Sequence, residues 1–188
     1  MISNVTDLMV SKEIIKEDER EIYEYGLKIG AMYFIDLAVA LVVAIILNEV
    51  DTLCISVITI GMLRRNAGGF HAKTIKSCFV LSELYVIGDI VVAKFTQSCP
   101  TIYLSIFLFI TLALLVIVIW TNGVVPGNHI DMDRVDLVNK KYLHKVMRRI
   151  GIILGIGVIS ILFGNNNWLC AIIFACLGEM ILLIVAKK

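Results

Sequence analysis

Charge is scarce in this chain, and so is proline. Charged residues make up only 18% of the 188 residues and two are prolines, against 59% hydrophobic side chains. A soluble domain of this length needs a polar coat, and here the charges are bunched into short stretches between long apolar runs. That pattern excludes a nucleic-acid binder, a disordered regulator and a secreted disulfide-stapled domain. The five cysteines, at 54, 78, 99, 170 and 176, form no CxxC metal spacing and no disulfide framework, and their odd number leaves a free thiol. No phosphate-binding loop, inverted repeat or sustained heptad is present, so the chain carries no visible energy source and no cofactor or metal is expected.

The long apolar runs are what remains. No cleavable signal peptide opens the chain. Residues 1–30 mix charges with Ile15, Ile22, Tyr25 and Ile29, a spacing that places an apolar stripe along one side of a helix lying on the membrane surface. Six candidate spans follow, at about 31–47, 52–63, 79–96, 101–120, 150–163 and 168–186. The predicted architecture is therefore all-α, a single integral membrane domain over 1–188 with about six transmembrane helices and an amphipathic N-terminal helix. Two spans, 52–63 and 150–163, are short, so flanking polar residues must dip into the membrane or the bilayer must thin there.

The basic residues test that count. With six crossings the connecting segments alternate sides, and sixteen of the 17 Lys and Arg fall in 1–30, 64–77, 121–149 and the C-terminal tail, all on one face. The turns at 48–51, 97–100 and 164–167 hold none. Only Lys94 breaks the pattern, near a span end where it could snorkel outward. Both termini and the two long basic loops are accordingly placed in the cytoplasm.

The most informative stretch joins the second and third spans: Arg64-Arg65-Asn66-Ala67-Gly68-Gly69-Phe70-His71-Ala72-Lys73-Thr74-Ile75-Lys76-Ser77-Cys78. An ordinary thiol is only a few per cent thiolate at neutral pH, so a nucleophilic cysteine needs an imidazole or a positive potential beside it. Cys78 would open the third helix, where free N–H groups favour an anion, with Thr74 or Ser77 as candidate N-caps and Lys73 and Lys76 close by. His71 and Cys78 are seven apart, so on a continuous helix they would lie about 10.5 Å apart along the axis, too far for proton transfer. The pair works only if the chain turns back between them, a turn for which Gly68-Gly69 supply backbone freedom. The competing reading is a loop histidine and a membrane cysteine that merely coincide.

The motif Arg-x-x-x-Gly-Gly-x-His-Ala, followed by five residues and Cys, resembles that of the AgrB family of accessory gene regulator proteins, and the likeness extends along essentially the whole chain. In the loop after the fourth span, Gly123-Val124-Val125-Pro126-Gly127-Asn128-His129 is similar to the family's stretch ending in Asp-His-Pro, with Asn for Asp and Ile130 where Pro is usual. The resemblance implies a bacterial membrane cysteine endopeptidase for quorum sensing. Its partner would be an AgrD-like propeptide, processed to a cyclic thiolactone or lactone autoinducing peptide. Position by position, it implies His71 and Cys78 as the catalytic pair, near the cytoplasmic face. The family's tendency to dimerise, together with Gly151-x-x-x-Gly155, permits a homodimer, although intrachain packing also explains those glycines.

Other residues have two readings. Arg64 and Arg65 either anchor the end of the second helix or bind the acidic C-terminal tail of the propeptide. Gly69, through its amide, and Lys73 complete the candidate substrate contacts. Four acids, Asp36, Glu83, Asp89 and Glu179, lie at membrane depth, where an ionisable group is costly enough to suggest function; otherwise they pair with Lys94 or with backbone groups. These acids motivate the alternative function, a small proton-coupled membrane transporter; a non-enzymatic membrane scaffold is the third. On a helix from Cys78, positions 82, 85 and 89 share its face. Cys54, Cys99, Cys170 and Cys176 read as apolar fillers.

Overall fold

The computed structural model describes residues 2–67, 75–122 and 135–186. Among these it contains seven α-helices, a short 3-10 turn and no strand. They are α1 (Ile2–Ser11), α2 (Arg20–Leu47), α3 (Val50–Ala67), α4 (Ile75–Thr96), α5 (Thr101–Asn122), α6 (Val135–Leu162) and α7 (Asn166–Ala186), with the 3-10 turn at Glu17–Glu19. Each of α2 to α7 contains one of the six apolar runs. Three segments are long and apolar enough to cross a membrane: Glu17–Leu47, Thr101–Thr121 and Asn166–Val185.

The remaining three helices, α3, α4 and α6, carry charges within their length. They also differ in extent from the short runs predicted from sequence. The backbone stays helical through polar residues at the ends, so α3 has 18 residues and α6 has 28, about 27 and 42 Å. The N-terminal 30 residues differ too: instead of one surface helix there is a break after Ser11. Glu13 adopts a left-handed backbone (φ 56°) and the Lys16 N–H donates to the Glu19 carboxylate, which starts a new helix. Residues 20–30 then belong to the 28-residue α2. The short α1 folds back onto α2, with Asp7 paired to Arg20 and Thr6 fully buried.

Local chemistry fixes the tight connections. Asn48 caps α2 in the left-handed conformation, which Asn tolerates, and Gly164 (φ 65°) ends the turn after α6. The Asn165 side chain accepts from the Trp168 N–H, capping α7. At the core sits α7, packed against α3, α4, α5 and α6, its Leu169, Ile172, Ile173 and Leu183 buried with Leu108 and Leu115 of α5 and Ile153 of α6. The outer helix α2 rests on α3 and α4 through Ala40 and Ala44. Outward faces are apolar: Phe34, Ile46, Ile102 and Ile117 are all exposed, a belt suited to acyl chains and not to water.

Glycines and cysteines divide unevenly. Gly157 is where α6 approaches α5 closely, because a Cβ there would strike Leu108; at Gly151 and Gly155 a Cβ meets nothing among the described residues, so the GxxxG pair serves no close packing among them. Cys170 and Cys176 are buried fillers as expected, whereas Cys54 and Cys99 are exposed; all four are free thiols.

Candidate functional site

α4 begins at Ile75, C-terminal to His71, so position 78 lies in its first turn. Ser77 is therefore inside the helix and is not its N-cap. His71, Gly68-Gly69, Lys73, Thr74 and the 123–130 stretch with His129 lie outside the described residues. The side chain of Cys78 lies outside the described residues too; what the structure supplies is the helix that begins there and the helices packed against it.

Below it, one helix face carries polar side chains in register. Ser82, one turn on, accepts from Arg64 Nη1 at 3.3 Å. Tyr85 donates its hydroxyl to the Ala175 carbonyl of α7 at 2.5 Å, its ring lying where a side chain at 178 would stand, so only glycine fits there. Asp89, two turns beyond Ser82, accepts from Ser56 of α3. The face predicted from residue spacing at 82, 85 and 89 is thus one seam that ties α4 to α3 and α7.

Arg64 is the hub of this seam. Its Nε lies 3.6 Å from Oε2 of Glu179, whose side chain is 0% exposed, while the Arg64 side chain is 31% exposed. The charge of Glu179 is offset across helices: α7 provides the acid and α3 the base. Arg64 also lines an open-sided cavity of about 400 Å³ bordered by α2, α3 and α4, together with Asp36, Ser82, Glu83 and Tyr85. Asp36 and Glu83 face each other across the α2–α4 seam. So of the four predicted acids, Glu179 and Asp89 hold helices together, and Asp36 and Glu83 border open space.

A second polar cluster holds the opposite end, where the basic residues are few. Lys94 does not snorkel outward: its Nζ lies 3.0 Å from Glu49 Oε1 and donates to the Leu47 carbonyl at 3.1 Å. Glu49, 1% exposed, also accepts from Thr52 and from Asn167 Nδ2 at 2.9 Å, so α3, α4 and α7 meet at one carboxylate. Sequence reasoning missed Glu49 because it sits in a tight turn, though a lone cation at the base-poor end was a signal that an acid should face it.

At the other end, Arg65 of α3 stands near Arg148 and Arg149 of α6. Arg149 donates to the Met62 carbonyl at 2.6 Å, and burial, followed by the charges of Arg65 and Arg148, lowers its guanidinium pKa from the ordinary value. Arg65 and Arg148 are exposed. The result is a three-arginine cluster where α3 ends, built from residues 83 and 84 positions apart that no local motif links. Among the described residues no group of His, Cys, Asp and Glu could hold a metal ion.

No curated protein and no solved structure is similar to the chain. Accessory gene regulator B, in contrast, matches residues 2–184, nearly the full length and through the polar seam and both arginine positions. On that match, the chain belongs to the AgrB family.

Proposed function

We propose that this AgrB-family protein, a membrane component of the accessory gene regulator quorum-sensing system, is a cysteine endopeptidase that crosses the membrane six times, with both termini and its active site on the cytoplasmic side. Its substrate is an AgrD-like propeptide. His71 takes the thiol proton of Cys78, the thiolate attacks a propeptide carbonyl, and the C–N bond breaks as His71 returns the proton to the departing amine. The retained peptide is left as a thioester on Cys78. A Cys or Ser within it then attacks that thioester, closing a thiolactone or lactone and freeing the Cys78 thiol.

The observation that carries this reading is the register of α4: position 78 opens a helix whose next two turns line a cavity large enough for a peptide segment. A site with apolar walls keeps water from the thioester, which ring closure requires. Replacing a peptide bond by a thioester is uphill and no nucleotide site is evident, so removal of the released tail draws the reaction forward. Of the two candidate tail-binding residues, Arg64 is engaged by Glu179 and Ser82, which favours the helix-anchoring role for it. Arg65, exposed where α3 ends beside Arg148 and Arg149, places positive charge where an acidic tail can be received.

The test replaces the ring-closing nucleophile of the cognate propeptide by Ala and incubates it with the full-length protein. A hydroxylamine-sensitive adduct on Cys78, with the mass of the retained peptide, is the expected product, absent in Cys78→Ala. Processing that survives Cys78→Ala refutes the reading. Transport lost in Asp89→Asn but unaffected by Cys78→Ala establishes instead the proton-coupled carrier that intramembrane acids suggest.

A further inference from the structure

Beyond the far end of α4 from position 78, the turn into α5 is tied to the start of α7. Asn166 Nδ2 donates to the Gln97 carbonyl at 2.9 Å and to the Cys99 carbonyl at 3.0 Å, and Thr101 Oγ1 donates to Asn166 Oδ1 at 2.9 Å. Cys170 follows Asn166 by four residues, so the two project from one face of α7, about 6 Å apart along its axis. Side chains on a helix lean toward its N-terminus, so Cys170 leans toward the 97–99 turn that Asn166 holds.

Two cysteines 71 positions apart in the chain thereby meet. Thr96 Oγ1 donates to the Val92 carbonyl at 2.7 Å and also meets the Cys170 thiol, while the Cys99 N–H donates to the Thr96 carbonyl at 3.0 Å. Thr96 thus touches both cysteines, and the two sulfurs lie within electrostatic range of each other. Both thiols are free, but their access differs: Cys99 is exposed and Cys170 fully buried. That division matches the two roles in thiol–disulfide exchange, where an accessible thiol takes up an incoming disulfide and a neighbouring thiol resolves it.

We propose that Cys99 and Cys170 form a reversible disulfide that latches the start of α7 to the α4–α5 turn, made by exchange with a low-molecular-weight disulfide. The Cys99 thiolate attacks one sulfur of the incoming disulfide, and its other half leaves as a thiolate. The Cys170 thiolate then attacks Cys99 Sγ, breaking the mixed disulfide and expelling the second thiolate. Two cysteine thiols are oxidised, one external disulfide is reduced to two thiols, and the protons given up by the cysteines pass to the released thiolates. Cys99 lies beyond the end of α4, about 27 Å along that helix from position 78, so the latch does not rest on the peptidase reading.

The test equilibrates the full-length detergent-solubilised protein with mixtures of reduced and oxidised glutathione, quenches in acid, alkylates the remaining thiols and maps the cysteines by mass. A peptide containing Cys99 linked to one containing Cys170 should be the main oxidised product at these two positions, and dithiothreitol should reverse it. Glutathione should persist on Cys99 in less than about a tenth of wild-type molecules and become the main product there in Cys170→Ala. In Cys99→Ser, a change at an exposed side chain, the Cys170 thiol should stay reduced under the same conditions. The latch closes a loop that contains α5 and α6, so oxidised wild type should also unfold at a higher content of denaturing detergent than reduced wild type, a shift absent from Cys99→Ser. Should Cys170→Ala not fold, Cys99→Ser carries the comparison alone. A glutathione adduct that persists on wild-type Cys99 beside a free Cys170 thiol, a link from Cys99 to any other cysteine or to a second copy, oxidation of Cys170 that survives Cys99→Ser, or equal unfolding midpoints for the oxidised and reduced wild type overturns the proposal.

Discussion

Removing Arg64 should do more harm than removing it together with Glu179. In Arg64→Met the Glu179 carboxylate, 0% exposed and 3.6 Å from the guanidinium, is left in the bundle with no compensating cation. Breaking a fully buried pair from one side costs about 3–5 kcal/mol, and an exposed pair is worth about 0–1. With Arg64 31% exposed the single variant should fall between, at about 2–3 kcal/mol. Arg64→Met/Glu179→Leu removes both charges and fills similar volume, so most of that loss should be regained, leaving about 1 kcal/mol or less. Reversible unfolding in mixed micelles of increasing denaturing detergent measures both, and processing activity measured alongside should recover in the double variant if Arg64 acts as a helix anchor. Costs that simply add, with the double variant the least stable, refute the pairing; restored stability without restored processing refutes the anchor role and returns Arg64 to substrate binding.

Three further outcomes are expected. Gly178→Ala should lower the unfolding midpoint in detergent by the equivalent of about 1–3 kcal/mol, because its Cβ falls on the Tyr85 ring, whereas Gly155→Ala, which meets nothing, should change it by less than about 0.5. Lys94→Met should destabilise the protein by stranding Glu49, and adding Glu49→Gln should restore much of the loss while Thr52 and Asn167 keep their bonds. Charge reversal at Arg65, by Arg65→Glu, should abolish processing of a propeptide with an acidic tail while membrane insertion, scored by carbonate extraction, is unaffected; retained processing would remove Arg65 from the site.

How much of this was legible in the sequence depends on the range of the interaction. Helix positions were readable because apolar runs and their punctuation are local, and α2 to α7 each contain one predicted run. The shared face of Ser82, Tyr85 and Asp89 was readable for the same reason, since helical periodicity alone sets it. Helix ends were not: α6 continues through a charged stretch from Val135 because its polar first half extends beyond the apolar run. Nor were the pairings, because Arg64 with Glu179 and Lys94 with Glu49 join residues 115 and 45 positions apart through the packing of α7 and α4, which no spacing encodes. The cavity follows from where α2 stands off α3 and α4, and it converts Asp36 and Glu83 from isolated membrane acids into facing walls of one space.

The central claim, an activated His71–Cys78 pair, is tested most directly without substrate. Alkylation of the solubilised protein by iodoacetamide is followed from pH 5 to 9, with each labelled cysteine located by mass, in wild type and His71→Ala. Cys78 should label fastest, with a midpoint well below that of an ordinary thiol near 8.5, and should lose that advantage in the variant. The exposed Cys54 and Cys99 provide the internal reference. Labelling of Cys78 that tracks theirs at every pH, with or without His71, contradicts the account.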